Sequence, residues 1–207
     1  MKKTDTKLLP YEKSLYICLE ILQLNTMNKY EQQKILEVVL YILLKTGGID
    51  YYHLFKILYF AEREHLAKWG DRITADDFFA LQYGPVPTRL YNAIKKQNAP
   101  DANLDKLLWE VVEFAGDDAP NVLLPKRSPN PDYLSESEKM ALEKSIDENS
   151  KKLFRELKSK SHDVAWENAV KRSPGRISPI DMARAEGTSD DMLEYIQEQI
   201  ALSAALA

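Results

Sequence analysis

Three histidines, one cysteine and 32 acidic residues are the material for chemistry in this 207-residue chain. The histidines stand at 53, 65 and 162. His53 and His65 are twelve residues apart on one expected helix. That spacing is a rotation of about 120°, so the two rings do not converge on one ion. Glu62, Glu64 and His65 are neighbours, but the His-Glu-x-x-His pattern is absent, and no metal site is expected. Cys18 lies in an apolar stretch with no histidine near it, the setting of a buried structural thiol and not of a nucleophile. A single cysteine also excludes an internal disulfide and a cysteine-based zinc knuckle. The Gly-x-Ser-x-Gly elbow, the P-loop and the Gly-x-Gly-x-x-Gly fingerprint are missing, and the carboxylates show no pairing pattern. These residues point to a protein that is not an enzyme and holds no cofactor. An unrecognised centre around His65 and His162 is the enzymatic alternative, and it would require turnover.

Charge and aromatic side chains offer binding chemistry instead. Lys151, Lys152, Arg155, Lys158, Lys160, Lys171, Arg172 and Arg176 face only Glu156, Asp163 and Glu167 within the same stretch. Residues 181–207 carry six acids against one base. The basic run reads as a solvated face, a dock for a charged protein or a nucleic-acid patch, and no reading-helix signature accompanies it. The net charge of -4 argues against a general nucleic-acid coat or a polybasic membrane anchor. Tyr51, Tyr52, Tyr59, Phe60, Trp69, Tyr83 and Tyr91 gather in one part of the chain. Core packing takes most of them, yet Tyr and Trp are also favoured at protein interfaces, where they combine contact area with a polar handle.

Holding these groups falls to a mostly α scaffold, a compact helical domain with a small antiparallel β-hairpin wing. Hydrophobic residues make up 44% and charged residues 29%, so a chain of this length can fold on its own core. Dense apolar residues predict a helix over 11–24. Ile35, Val38, Val39, Ile42 and Leu43 predict another over 31–45, stopped by Gly47-Gly48. A third is expected over about 50–69, capped by Asp50 and ended by Gly70, with Leu54, Ile57, Leu58, Ala61, His65 and Leu66 on one broad face. The last two should pack as an antiparallel hairpin. Thr74-Ala75-Asp76-Asp77 resembles a capping box, and residues 78–81 read equally as short helix or buried strand. Gly84-Pro85-Val86-Pro87 forces a change of direction before a helix over 88–96 that buries Leu90 and Ile94. Trp109, Val111, Val112 and Phe114 predict a strand, and 121–125 its return. Ser135-Glu136-Ser137-Glu138 is a full capping box for a helix burying Met140, Leu142 and Ile146. Helices over 151–159 and after 188–191 follow, and the tail 201–207 should fray. The expected divisions are a helical extension over 1–30, a main domain over 31–180, and an acidic C-terminal helix and tail over 181–207. No apolar run approaches the roughly 20 residues of a membrane span, and no leader-like apolar region follows the first lysines, so a cytoplasmic protein is expected.

Four landmarks recur in a telling order. The first is an apolar helix with Leu54, Lys56, Ile57, Leu58, Tyr59, Phe60, Ala61, His65, Leu66 and a closing Gly70. The second is Ala80, then Tyr83-Gly84-Pro85-Val86, then a helix with Tyr91. The third is Leu134-Ser135-x-x-Glu138, and the fourth is Ser161-His162-x-x-x-Trp166. Across roughly residues 30–180 they resemble the Panacea domain family of SocA-like antitoxins, also described as phage-associated GepA-like proteins. The chain departs from that pattern by residues 1–30, by the acidic C-terminal helix, and by Tyr52 or His53 in place of a lysine region. The resemblance implies a mostly helical antitoxin of a toxin-antitoxin system, which neutralises a cognate toxin by direct binding, the toxin often being encoded beside it. It does not carry over the toxin's class or the proteolytic-adaptor mechanism of one member. On this reading Tyr83, Gly84, Pro85, Val86, Arg89 and Tyr91 border the partner surface, and Leu58, Tyr59, Phe60, His65, His162 and Trp166 hold it in shape. The alternative is a DNA-binding transcriptional or phage-associated regulator that uses the basic 151–176 region. The sequence leaves a homodimer open.

Overall fold

A helix buried on every side over most of its length runs through the middle of the molecule. In the computed structural model, which describes residues 27–95, 102–172 and 175–206, it is α2 (Tyr51–Trp69). The residues from Leu54 to Leu66 are buried without interruption. The Asp50 side chain caps its start by accepting the His53 N–H at 3.1 Å, and Gly70 ends it in the left-handed conformation at φ 71. Before it come α1 (Lys29–Thr46) and β1 (Ile49–Asp50). After it come β2 (Phe78–Leu81), β3 (Gly84–Pro87), α3 (Thr88–Lys95), α4 (Ala102–Val111), β4 (Val112–Phe114) and β5 (Val122–Pro125). A short 3-10 turn (Pro131–Tyr133) leads to α5 (Glu136–Asn149), α6 (Phe154–Ser161), α7 (Val164–Val170), α8 (Pro179–Glu186) and α9 (Asp190–Leu206). The fold is predominantly helical with small antiparallel strands. The helix expected over 11–24, with Cys18, lies outside the described residues, as does most of the expected extension over 1–30.

α2 is covered chiefly by α5 and α8, with β3 and α6 completing the sheath. The expected α1–α2 hairpin is a minor contact. The Gly47-Gly48 turn feeds β1, which pairs with β5 through Ile49 and Leu123, and this strand redirects α1 towards β5, α4 and α5. β5 also pairs with β4, giving a three-stranded antiparallel sheet in the order β1-β5-β4. The strand expected to include Trp109 and Val111 is shorter, because α4 continues through both. Leu104, Leu108 and Val112 are four residues apart and all buried, so the helical period governs, and the Trp109 indole donates to the Ala93 carbonyl at 3.2 Å.

Residues 78–81 resolve as a strand. β2 and β3 form a hairpin in the register Phe78 to Pro87 and Leu81 to Gly84, turning at Gln82-Tyr83. The segment after α7 adds to its edge, with the Ala80 N–H bonding Gly175 O and the Ile177 N–H bonding Phe78 O. Residues 74–77 start no helix. Thr74 donates its N–H and hydroxyl to Glu62, while the Asp76 carboxylate accepts the Arg89 and Leu90 N–H groups at 2.9 Å each, capping α3 from a distance in sequence. The capping box at Ser135 and Glu138 forms as read. Met140, expected inside α5, is exposed, because Ala141, Leu142, Ser145 and Ile146 take the inner face. α6 begins at Phe154, later than expected, and the 201–207 tail remains helical to Leu206.

Gly84 is the tightest backbone position of the hairpin. Its φ is +99, and a Cβ there would lie 2.5 Å from Ser161 Oγ and 2.8 Å from Lys56 Nζ. Gly47, at φ +70, has nothing within 4 Å of the same position. Gly84→Ala is expected to lower the unfolding free energy by about 3 kcal/mol and Gly47→Ala by about 1 kcal/mol. Urea denaturation measures both, and equal losses would remove the close approach as a factor.

Candidate functional site

The landmark residues converge on the β2–β3 turn. Three of its carbonyls, at alternate positions, are each taken by a side chain from another element. The Trp166 indole donates to Leu81 O at 3.0 Å, the Tyr52 hydroxyl to Tyr83 O at 3.2 Å, and the Lys56 ammonium to Pro85 O at 2.7 Å. Pro85 stands opposite Ala80, whose N–H turns away from β3 to Gly175 O, so the Pro85 carbonyl also faces out of the hairpin and takes a side-chain donor. The His162 ring stacks on Trp166 at 3.7 Å with an interplanar angle of 9°. Asp163 caps α7 through the Trp166 N–H, accepts the Tyr59 hydroxyl at 2.9 Å and pairs with Arg63 at 2.6 Å. Arg63 also reaches Glu186 at 2.8 Å, fastening the end of α8 to α2.

Burial sets the electrostatics of this cluster. Lys56 is fully buried. Loss of hydration pushes its ammonium down to about 7 from 10.5, while the Asp163 charge pulls the other way. The Tyr52 ring, 4.9 Å below the Lys56 Nζ, offers its face to the cation. Burial lowers the His162 imidazole below its ordinary value, and the Lys158 and Lys56 charges lower it further. Burial raises the Tyr59 hydroxyl well above its ordinary value, and the Asp163 charge adds to that. Burial also pushes the Asp76 carboxyl up to about 7 against the pull of the Leu90 and Arg89 N–H groups.

The expected surface residues separate. Tyr83 is 52% exposed, and Tyr91 is half-buried with its ring 6.0 Å from Phe55. Gly84, Pro85 and Val86 are interior. Arg89, expected to border the surface, is 4% exposed, because its backbone starts the buried turn of α3 on Asp76. Leu58, Tyr59, Phe60 and His65 are buried, while His162 and Trp166 are half-buried against the turn. His65 bonds the Asp71 carbonyl and the Ser137 hydroxyl, and it shares no partner with His162. Among the described residues no three of His, Cys, Asp and Glu gather to hold a metal ion.

The basic run divides among acidic and aromatic neighbours. Lys160 pairs with Glu148 at 3.0 Å, Arg172 with Asp181 at 2.8 Å and Arg176 with Asp77 at 2.7 Å. Lys158 lies 5.5 Å over the Tyr83 ring. The Lys152 carbonyl meets His53 Nε2 at 2.8 Å. Lys151, Arg155 and Lys171 are exposed. Sequence reasoning did not single out Leu153 and Phe154, both exposed at the start of α6. An apolar pair between two lysines and an arginine is the signal that could have marked them.

Lys56 gives this site a pH signature. The unfolded chain keeps the proton up to the ordinary lysine range, whereas the folded state releases it above about 7. Between roughly pH 7 and 9 the unfolded state therefore binds more protons, and stability rises with pH, by at most about 1.4 kcal/mol per unit from this group. Lys56→Met should reduce that slope in denaturation curves taken across this range. A slope equal to that of the unsubstituted protein would show that the ammonium is hydrated.

The family model for the SocA-like antitoxin, Panacea domain, matches residues 54–167. The match is narrower than the span suggested by the four landmarks and runs from α2 to α7. A search of the curated proteins finds no match, and neither does a search of the solved structures. Among the described residues no helix is long and apolar enough to cross a membrane. The matched stretch is more than half of the chain and contains α2 from Leu54 onward, the Tyr83–Val86 turn and the Ser161–Trp166 clamp, and on that basis the chain belongs to the family of SocA-like antitoxins with a Panacea domain.

Proposed function

We propose that this protein is the antitoxin of a toxin-antitoxin pair and that it neutralises a toxin protein by binding it directly. The observation that carries the reading is the family match over residues 54–167. The geometry is compatible with a binding role. The turn carbonyls are held by three side chains from α2 and α7, so Tyr83 is offered to a partner on a backbone that needs little further ordering, and such preorganisation lowers the cost of association. The cognate toxin is expected to be encoded by an adjacent gene.

A DNA-binding regulator is the rival. Its basic region has several cations already engaged by carboxylates, as at Lys160, Arg172 and Arg176, which leaves fewer to neutralise phosphates. Co-expression with the neighbouring gene separates the two readings. The neighbour alone should arrest growth, this chain should restore it, and the two should purify together in a near one-to-one complex. No rescue and no complex, together with DNA retention that falls steeply with salt, would replace the antitoxin reading by the regulator.

A further inference from the structure

One part of the surface combines exposed rings with positive charge. The Phe154 ring lies 4.5 Å from Tyr52 and 5.6 Å from Tyr83, and Leu153, 58% exposed, precedes it. These residues come from the start of α2, the β2–β3 turn and the start of α6, so the fold assembles the patch. Phe154 is 47% exposed. Two cations flank the rings, Arg155 exposed beside Phe154 in the chain and the Lys158 ammonium over the Tyr83 ring. The acid in that turn, Glu156, is bent back onto the Leu153 N–H at 2.7 Å. At the far side Asp50 is paired with His53 at 2.6 Å.

We propose that this patch receives an acidic segment of the cognate toxin, with Phe154 and Tyr83 as the anchoring rings. The proposal rests on the antitoxin reading and names the surface that performs it. The occupant follows from charge complementarity. The chain as a whole carries a net charge of -4, so a basic island draws an acidic partner to this face while the rest of the surface repels it. Ring geometry favours a protein over a nucleic acid. Phe154 meets Tyr83 edge-on at 66° and Tyr52 at a tilt of 34°, so the rings fill one another's flanks and do not form a row of open faces for successive bases. Exposed aromatics with an arginine beside them are the residue types that carry most of the energy in protein interfaces.

Photocrosslinking tests this in the full-length chain expressed with its neighbouring gene intact. A benzoylphenylalanine replaces Phe154 in one version and Met140, exposed on α5, in another. The expected result is a crosslink from position 154, and not from 140, into an acidic segment of the neighbour's product. Phe154→Ala and Arg155→Glu should each weaken the complex at least about tenfold, Arg155→Glu with the unfolding midpoint unchanged. A complex that forms with undiminished affinity in both variants, or that crosslinks only from 140, overturns the surface while the antitoxin reading stands. Crosslinks from 154 to a second copy of this chain or to nucleic acid overturn it too. If no complex forms even with the unsubstituted protein, the antitoxin reading fails and the surface assignment with it.

Discussion

A helix buried on every side that still carries ionisable residues is the constraint on which this structure depends. Lys56, Glu62, Arg63, Glu64 and His65 all lie within the buried stretch of α2. A buried charge left without its partner costs about 3–5 kcal/mol, so each of these must be answered by whatever packs around the helix. Lys56 is answered by Pro85 O, and Glu62 by the Ile73 and Thr74 N–H groups and the Thr74 hydroxyl. Arg63 is answered by Asp163 and Glu186, Glu64 by Lys68 and Lys144, and His65 by Asp71 and Ser137. Most of these partners lie in loops or at helix ends. The helix thereby dictates where the loops run, and a small core with short strands can hold a defined turn.

That dependence bears on what the family landmarks report. Lys56 and Tyr59 lie on the helix, Gly84 and Pro85 in the turn, and Ser161, His162 and Trp166 in the clamp that closes over it. His65 and Ser137 join the third landmark, around the Ser135 cap, to the same helix. The landmarks thus describe a scaffold and its internal bonds. Leu153, Phe154 and Arg155, which are free to meet another molecule, fall between them.

Much of the architecture was legible in the sequence because its signals are local. The Asp50 cap, the Gly70 stop and the Ser135–Glu138 box each act within one helical turn, and each stands where it was read. The misreadings arose where a distant partner decided. Residues 74–77 have the letters of a cap, but Glu62 and the start of α3 claim them. Trp109 and Val111 favour strand by residue type, but the buried spacing of Leu104, Leu108 and Val112 keeps them helical. For the site, Tyr83 and the clamp residues could be named from their motif. The interior position of Arg89 could not, since it depends on Asp76 thirteen residues earlier. Nor could the meeting of Phe154 with Tyr52 and Tyr83, which joins three segments far apart in sequence.

Buried ionisable groups on and around α2 hold the loops as firmly as the apolar core does. Native-state amide hydrogen exchange tests it most directly. The Ile73, Thr74, Arg89 and Leu90 amides donate to the buried Glu62 and Asp76 carboxylates. If the account is right, these amides exchange only on global unfolding, as slowly as those in the middle of α2. Exchange of Ile73 and Thr74 at the rate of an open surface loop would contradict it.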